Sequence, residues 1–205
     1  MTSTLAPPTS RFSPRQLEIL DTLQALFLAE GFRHLTIGDL VDRLRCSRRT
    51  LYGLAPSKEE LVLVVIGRLF NDMGVKARAE AAAYNDPGEA IAAYLQTAIV
   101  TFAPAQPAFT EDLESYLPTR HLYDRHLLVA LRVLGDLVDD GIRAGTFRAF
   151  HAPLIAELLD GCVERIRRPD VLARAQVSSS QAIAEFSEFI RHGLQLHTAL
   201  EVLND

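Results

Sequence analysis

The stretch that most constrains what this chain can fold into is residues 36–58. Ile37, Leu40, Val41 and Leu44 fall at i, i+3, i+4 and i+7, the spacing of one buried stripe on a helix. Thr36 stands before them as an N-cap, with Asp39 three residues on. The pattern breaks at Arg45-Cys46, and Ser47 then caps a very short helix that runs through Tyr52. Its middle, Arg48-Arg49-Thr50, is too polar for a core, whereas Leu51 can point inward. An apolar-faced helix, a tight break and a short helix with a basic outer face make a helix-turn-helix pattern. The first helix must bury one face to hold the second rigidly. The second must be uncluttered to enter a major groove about 12 Å wide. Arg48 and Arg49 can fork onto guanine or phosphate, and the Ser47 and Thr50 hydroxyls can bind phosphate oxygens. Taken alone, Arg45, Arg48 and Arg49 would read as a solvated helix face; inside this motif, DNA contact is the stronger reading.

Charge bears on that expectation. The 205 residues carry a formal net charge of −5, which by itself argues against a nucleic-acid partner. The distribution answers the objection. Residues 11–60 hold eight Lys/Arg against seven Asp/Glu, and the basic ones crowd into 43–49. Phosphate attraction is local once salt screens beyond about 8 Å, so the cluster matters more than the total.

Elsewhere the chain reads as helix after helix. Residues 1–12 look like a flexible arm. Ser13-Pro14 opens a helix with Leu17, Leu20, Leu23 and Phe27 on one side and Gly31 as its end. Further helices are expected over about 58–84, 87–101, 110–117, 119–144 and 153–168. Pro104 and Pro107 mark a loop, and Pro169 punctuates. Ser178 with Gln181 forms a capping box for a last helix to about Leu203. No segment alternates convincingly at period 2, so the expected class is all-α, beginning with a three-helix unit over 13–58. The longest aliphatic run, Leu61 to Ile66, is far short of the ~20 residues that span a bilayer. The polar, Pro-rich start lacks an apolar signal region. Cys46 and Cys162 lie far apart without metal-like spacing and read as reduced thiols of a cytoplasmic protein.

Residues 19–66 also resemble a known family. Ile19-Leu20, Phe27, Gly31-Phe32, Thr36-Ile37, Leu40, Ser47, Thr50-Leu51-Tyr52 and Pro56-Ser57-Lys58-Glu59 with Leu61 match the N-terminal domain of TetR-family transcriptional regulators. The resemblance implies that Thr36 and Tyr52 contact the DNA backbone, that Lys58 meets a phosphate, and that Arg48, Arg49 and Thr50 sit on the base-reading helix. A lysine at a helix start is electrostatically odd; a nearby phosphate would explain it. Two positions depart from the pattern. Arg45 stands where the family usually has glycine, which in a left-handed conformation costs roughly 1–2 kcal/mol. Ala55 stands where an aromatic is usual, with Leu54 as a candidate replacement.

The resemblance further implies that residues 59–205 form a helical domain for ligand binding and dimerisation. Gly141 to Phe147 is similar to the break that precedes the last two helices in relatives. Phe186, Phe189, Gly193, Leu196, Leu200 and Leu203 are spaced 3, 4, 3, 4, 3, a heptad seam. Ile155, Leu158, Leu159, Cys162 and Ile166 form a stripe in the helix before. Two such helices from each subunit would build a four-helix homodimer interface; burial against their own subunit is the plainer alternative. Tyr94, Thr97, Phe102, Phe109, Tyr116, His121, Tyr123 and His126 are candidates for the pocket of a small, mainly apolar ligand, although any one aromatic is equally a core residue.

The expected partner is therefore a pseudo-palindromic double-stranded DNA operator, and the expected role is a repressor released by its ligand. No cofactor or metal is expected: His121 and His126 are five apart, off one helical face. Cys46 beside Arg45 and Arg48 invites a redox reading, but a buried turn cysteine is the simpler one. An all-α enzyme finds no support, since no nucleophile motif, phosphate loop or metal spacing is present. The remaining alternative is a TetR-like dimer that binds ligand or protein but no longer reads DNA.

Overall fold

The computed structural model describes residues 12–151, 154–155, 158, 161–162, 165–166 and 168–195. Its helices are α1 (Pro14–Glu30), α2 (Ile37–Leu44), α3 (Arg48–Tyr52), α4 (Lys58–Ala81), α5 (Pro87–Phe102), α6 (Pro107–Ser115), α7 (Leu117–Arg143), α8 (Pro169–Ala175) and α9 (Ser179–Leu194). The described residues between 154 and 166 are helical too. No strand occurs among the described residues. One isolated antiparallel bridge joins Phe147 to Gln195. Among the described residues no helix is long and apolar enough to cross a membrane.

Three boundaries differ from the sequence reading. Pro107 opens α6 from its first turn, where proline's missing N–H has no partner to lose, so the loop is shorter than two prolines suggested. α4 stops at Ala81, and Ala83 and Tyr84 turn back onto the carbonyls of Glu80 and Ala81. Pro169 begins a seven-residue helix rather than merely interrupting the chain.

The contacts divide the chain into two units, Met1–Gly74 with Pro104–Leu127, and Val75–Ala103 with Leu128–Asp205. In the first, Leu20, Leu23 and Phe27 of α1 are completely or almost completely buried with Leu40 of α2, Leu51 of α3 and Ile66 of α4. Each such side chain contributes about 1.5–3 kcal/mol by leaving water, and together they fix the three-helix unit. Phe32 tilts against Phe27 at 5.6 Å and meets Phe109 edge-on at 6.3 Å.

In the second unit α5 packs along α9. Ile91, Tyr94 and Leu95 are buried with Leu134 and Val138 of α7 and with Ile190 and Leu194 of α9. After α7, the N–H groups of Thr146 and Phe147 both return to the Gly141 carbonyl at 3.0 and 3.1 Å. Gly145 takes φ +74 to make that turn. The Phe147 ring then lies directly on Gly141, where any Cβ would overlap it. Arg148 completes the corner by donating from its guanidinium to the Gly193 carbonyl at 2.9 Å.

Candidate nucleic-acid interface

The helix-turn-helix is built from caps that the sequence itself supplies. Thr36 Oγ1 accepts the Asp39 N–H at 3.2 Å, while the Asp39 carboxylate accepts both the Thr36 N–H and its hydroxyl at 2.7 Å. These bonds hold the Asp39 carboxyl below the usual aspartate range, the Thr36 hydroxyl being the main cause. Because the Thr36 proton is engaged there, a phosphate contact from this hydroxyl requires it to rotate away. Ser47 caps α3 by accepting the Thr50 N–H at 3.1 Å, and the Ser47 and Thr50 hydroxyls lie 2.9 Å apart.

Arg45 sits between the two helices at φ 47 and ψ 46, in the left-handed region. The turn therefore makes the demand that glycine usually meets, and the chain meets it with arginine. Its N–H bonds the Asp42 carbonyl, and the Cys46 N–H bonds that of Val41. Cys46 is half-buried, and burial pushes its thiol up. A raised thiol is the opposite of what a redox-reactive cysteine needs, which favours the structural reading of this residue.

Arg45, Ser47, Arg48 and Arg49 are exposed, and Tyr52 is half-exposed beside them at 50 %. Among the described residues the three arginines have no acidic partner. Arg15, Arg43, Arg68, Arg168, Arg174 and Arg191, by contrast, each hold a carboxylate. Leu51 is buried underneath and fixes which face of α3 looks outward. Lys58 is half-buried, with Nζ donating to the Arg33 carbonyl at 2.7 Å. Two of its three donors remain for another acceptor. Leu54 and Ala55 are both buried behind α3.

The pocket candidates are divided between the two units. Phe109 is buried and Tyr116 half-buried, both edge-on to Phe32. Tyr123 is edge-on to Phe70, and His126 stacks on the same ring at 4.9 Å. His121 is exposed. In the other unit Tyr94 and Thr97 of α5 are buried, and Phe102 ends that helix half-buried. Among the described residues no group of His, Cys, Asp or Glu is arranged to hold a metal ion.

The heptad positions also have unlike surroundings. Ile155 and Phe186 pack against the buried cluster of their own unit. Leu158 and Phe189 are 57 % and 72 % exposed, Cys162 and Gly193 are exposed, and Ile166 is half-buried. Leu159, Leu196, Leu200 and Leu203 lie outside the described residues.

Residues 19–65 match the family model of the bacterial regulatory proteins, tetR family. Over that stretch the chain is similar to the N-terminal domain of TetR-family regulators. The match supports DNA-binding transcription regulation. Solved structures share the fold over nearly the whole length. A putative transcriptional regulator from Saccharomonospora viridis, in complex with choline, is 18 % identical, with a TM-score of 0.75 over 91 % of this chain and 100 % of that one. A transcriptional regulator from Cytophaga hutchinsonii is 14 % identical, with a TM-score of 0.72 over 90 % and 100 %. A TetR-family regulator from Agrobacterium tumefaciens is 15 % identical, with a TM-score of 0.69 over 89 % and 98 %. No curated protein matches the chain.

Several residues that brace this helix-turn-helix are invisible to the sequence reading. Gln16 of α1 donates to the Gly53 carbonyl at the end of α3 at 3.3 Å. Arg43 of α2 bonds Glu30 at the end of α1 at 2.5 Å. Asp112 of α6 accepts the N–H groups of Phe32 and Arg33. Each partner lies at least 13 residues away in sequence, beyond the reach of any local pattern.

Proposed function

We propose that this protein is a homodimeric, cytoplasmic repressor that reads a pseudo-palindromic operator and leaves it when a small molecule binds. The observation that carries the DNA half is the projecting α3, with Arg48 and Arg49 exposed and unpaired above a buried Leu51. Unpaired guanidinium groups on a helix only five residues long are matched in size and chemistry to a major groove. Ser47, Thr50, Tyr52 and, on its αL turn, Arg45 are assigned to phosphates beside them, with Thr36 and Lys58 flanking. The DNA-binding domain is taken as residues 13–58 and the regulatory part as 59–205.

The dimer is assigned to the apolar side chains left in water, Leu158 and Phe189 above all. A single five-residue recognition helix binds weakly, and two related by a twofold axis read half-sites about one DNA turn, ~34 Å, apart. For the ligand, Tyr94 is the favoured anchor. Its ring is buried in an apolar neighbourhood, burial pushes its phenol up, and its hydroxyl makes no hydrogen bond among the described residues. The Saccharomonospora viridis structure holds choline, and an aromatic face is well suited to such a cation. Release follows by linkage if the ligand favours a conformation with misplaced recognition helices.

The test is selection of DNA from a random duplex library by the purified protein. Enrichment of two inverted half-sites one helical turn apart is expected. Enrichment of none, or of a solitary half-site by a monomer, overturns the reading. A thermal-shift titration with choline, on the native protein and on Tyr94→Phe, is the first ligand arm.

A further inference from the structure

We infer that Asp112, on α6 and outside the stretch matched by the family model, is a positioning residue for the DNA-facing lysine, Lys58. This rests on the reading that Lys58 meets a phosphate. The Asp112 carboxylate oxygen Oδ2 accepts the Phe32 N–H at 2.6 Å and the Arg33 N–H at 2.8 Å. The carbonyl of the same Arg33 accepts the Lys58 ammonium at 2.7 Å. Arg33 is therefore held at both backbone ends, by α6 through its N–H and by the first residue of α4 through its C=O. Its side chain adds a third tie, Nη1 donating to Ser115 Oγ of α6 at 2.9 Å.

The approach requires glycine at position 31. Gly31 has φ +78, and a Cβ there would stand 2.6 Å from Asp112 Oδ2 and 3.1 Å from the Ala108 carbonyl. The Gly31 N–H closes α1 on the Phe27 carbonyl at 2.8 Å, so the next two N–H groups must find partners beyond the helix, and one carboxylate takes both.

The consequence for DNA binding is entropic. A lysine is a point charge on a flexible four-carbon stem. Tying one donor to Arg33 pins the ammonium while two donors stay available. When the Arg33 peptide is released, that freedom must be lost again on each phosphate contact. Displacement of α6 is thereby felt at Lys58.

The test uses the full chain and the operator it selects, with Asp112→Ala, Asp112→Asn, Lys58→Ala and the double variant Asp112→Ala/Lys58→Ala, titrated across salt. Asp112→Ala is expected to weaken binding about five- to ten-fold at every salt concentration, whereas Lys58→Ala also flattens the salt dependence by about one counterion. The double variant should bind no more weakly than Lys58→Ala alone, since without the ammonium there is nothing left to position. Asp112→Asn, which keeps an acceptor, should restore part of the loss and covers the case in which the alanine variant fails to fold. Binding within two-fold of the native protein, or multiplicative losses in the double variant, overturns the assignment. If the native protein selects no DNA, the regulatory reading falls separately. The positioning role is then decided by the Lys58 Nζ resonance: a shift in Asp112→Asn sustains it, and an unchanged signal overturns it.

Discussion

Arg68 of α4 lies 2.6 Å from Asp21 of α1, although the first side chain is 15 % exposed and the second 63 %. Asp72 stands 3.4 Å from the same guanidinium, and Nη1 is buried without a hydrogen bond. A buried guanidinium that loses its best carboxylate is worse off than one replaced by an apolar chain. Asp21→Asn should therefore lower the free energy of unfolding by about 1 kcal/mol, and Arg68→Met by less. Urea denaturation of both variants measures the order, and the reverse order would contradict the account.

Arg45 holds an αL conformation that costs a non-glycine residue roughly 1–2 kcal/mol. Glycine relieves this but brings more chain entropy to the unfolded state, about 0.4–1 kcal/mol. Arg45→Gly should thus raise stability by roughly 0.5–1 kcal/mol while weakening operator binding through the lost charge. Thermal melts and DNA titrations on one preparation test whether the two properties move in opposite directions.

The proposed DNA contacts separate affinity from preference. Arg49→Ala should change which bases are selected at one position of each half-site, with a discrimination loss of about 1–3 kcal/mol. Lys58→Ala should weaken all duplexes alike. Repeating the DNA selection with each variant distinguishes these outcomes.

Acid should loosen the start of α2 through its own cap. The Asp39 carboxyl is held low in the folded chain, chiefly by the Thr36 hydroxyl. Its stabilising contribution is fully present above the ordinary aspartate value, about 3.9, and is lost as pH falls through the lowered one. The Thr36 and Asp39 amide resonances should therefore titrate below pH 4, and Asp39→Asn should abolish that step.

Phe189, 72 % exposed on α9, offers a test of the dimer that spares the monomer core. Phe189→Glu should shift the protein to a monomer in light scattering at micromolar concentration with helical content unchanged, and operator affinity should fall with it.

Many of the helix starts were legible because their signals are local. Ser13, Thr36, Ser47 and Ser178 were each read as caps, and each accepts the N–H of the residue three positions on. Such a bond needs only neighbours. α8 was missed because seven residues hold too few turns to show a period. Phe186 and Phe189 look equivalent in a heptad pattern, yet one is half-buried and packs on its own unit's core while the other stands in water. Spacing records which face of a helix a residue occupies, not what lies opposite.

From the amino acids alone followed the all-helical class, the helix-turn-helix and the basic, unburied character of α3. All three rest on hydrogen bonds and periodicities that close within about four residues. The tertiary structure alone decided that Arg45 is left-handed, that Gly141 lies beneath a phenylalanine, and that a carboxylate 79 residues further along holds the Arg33 peptide. Those depend on which surfaces meet when the chain collapses, and contacts between distant segments leave no trace in the local order of residues.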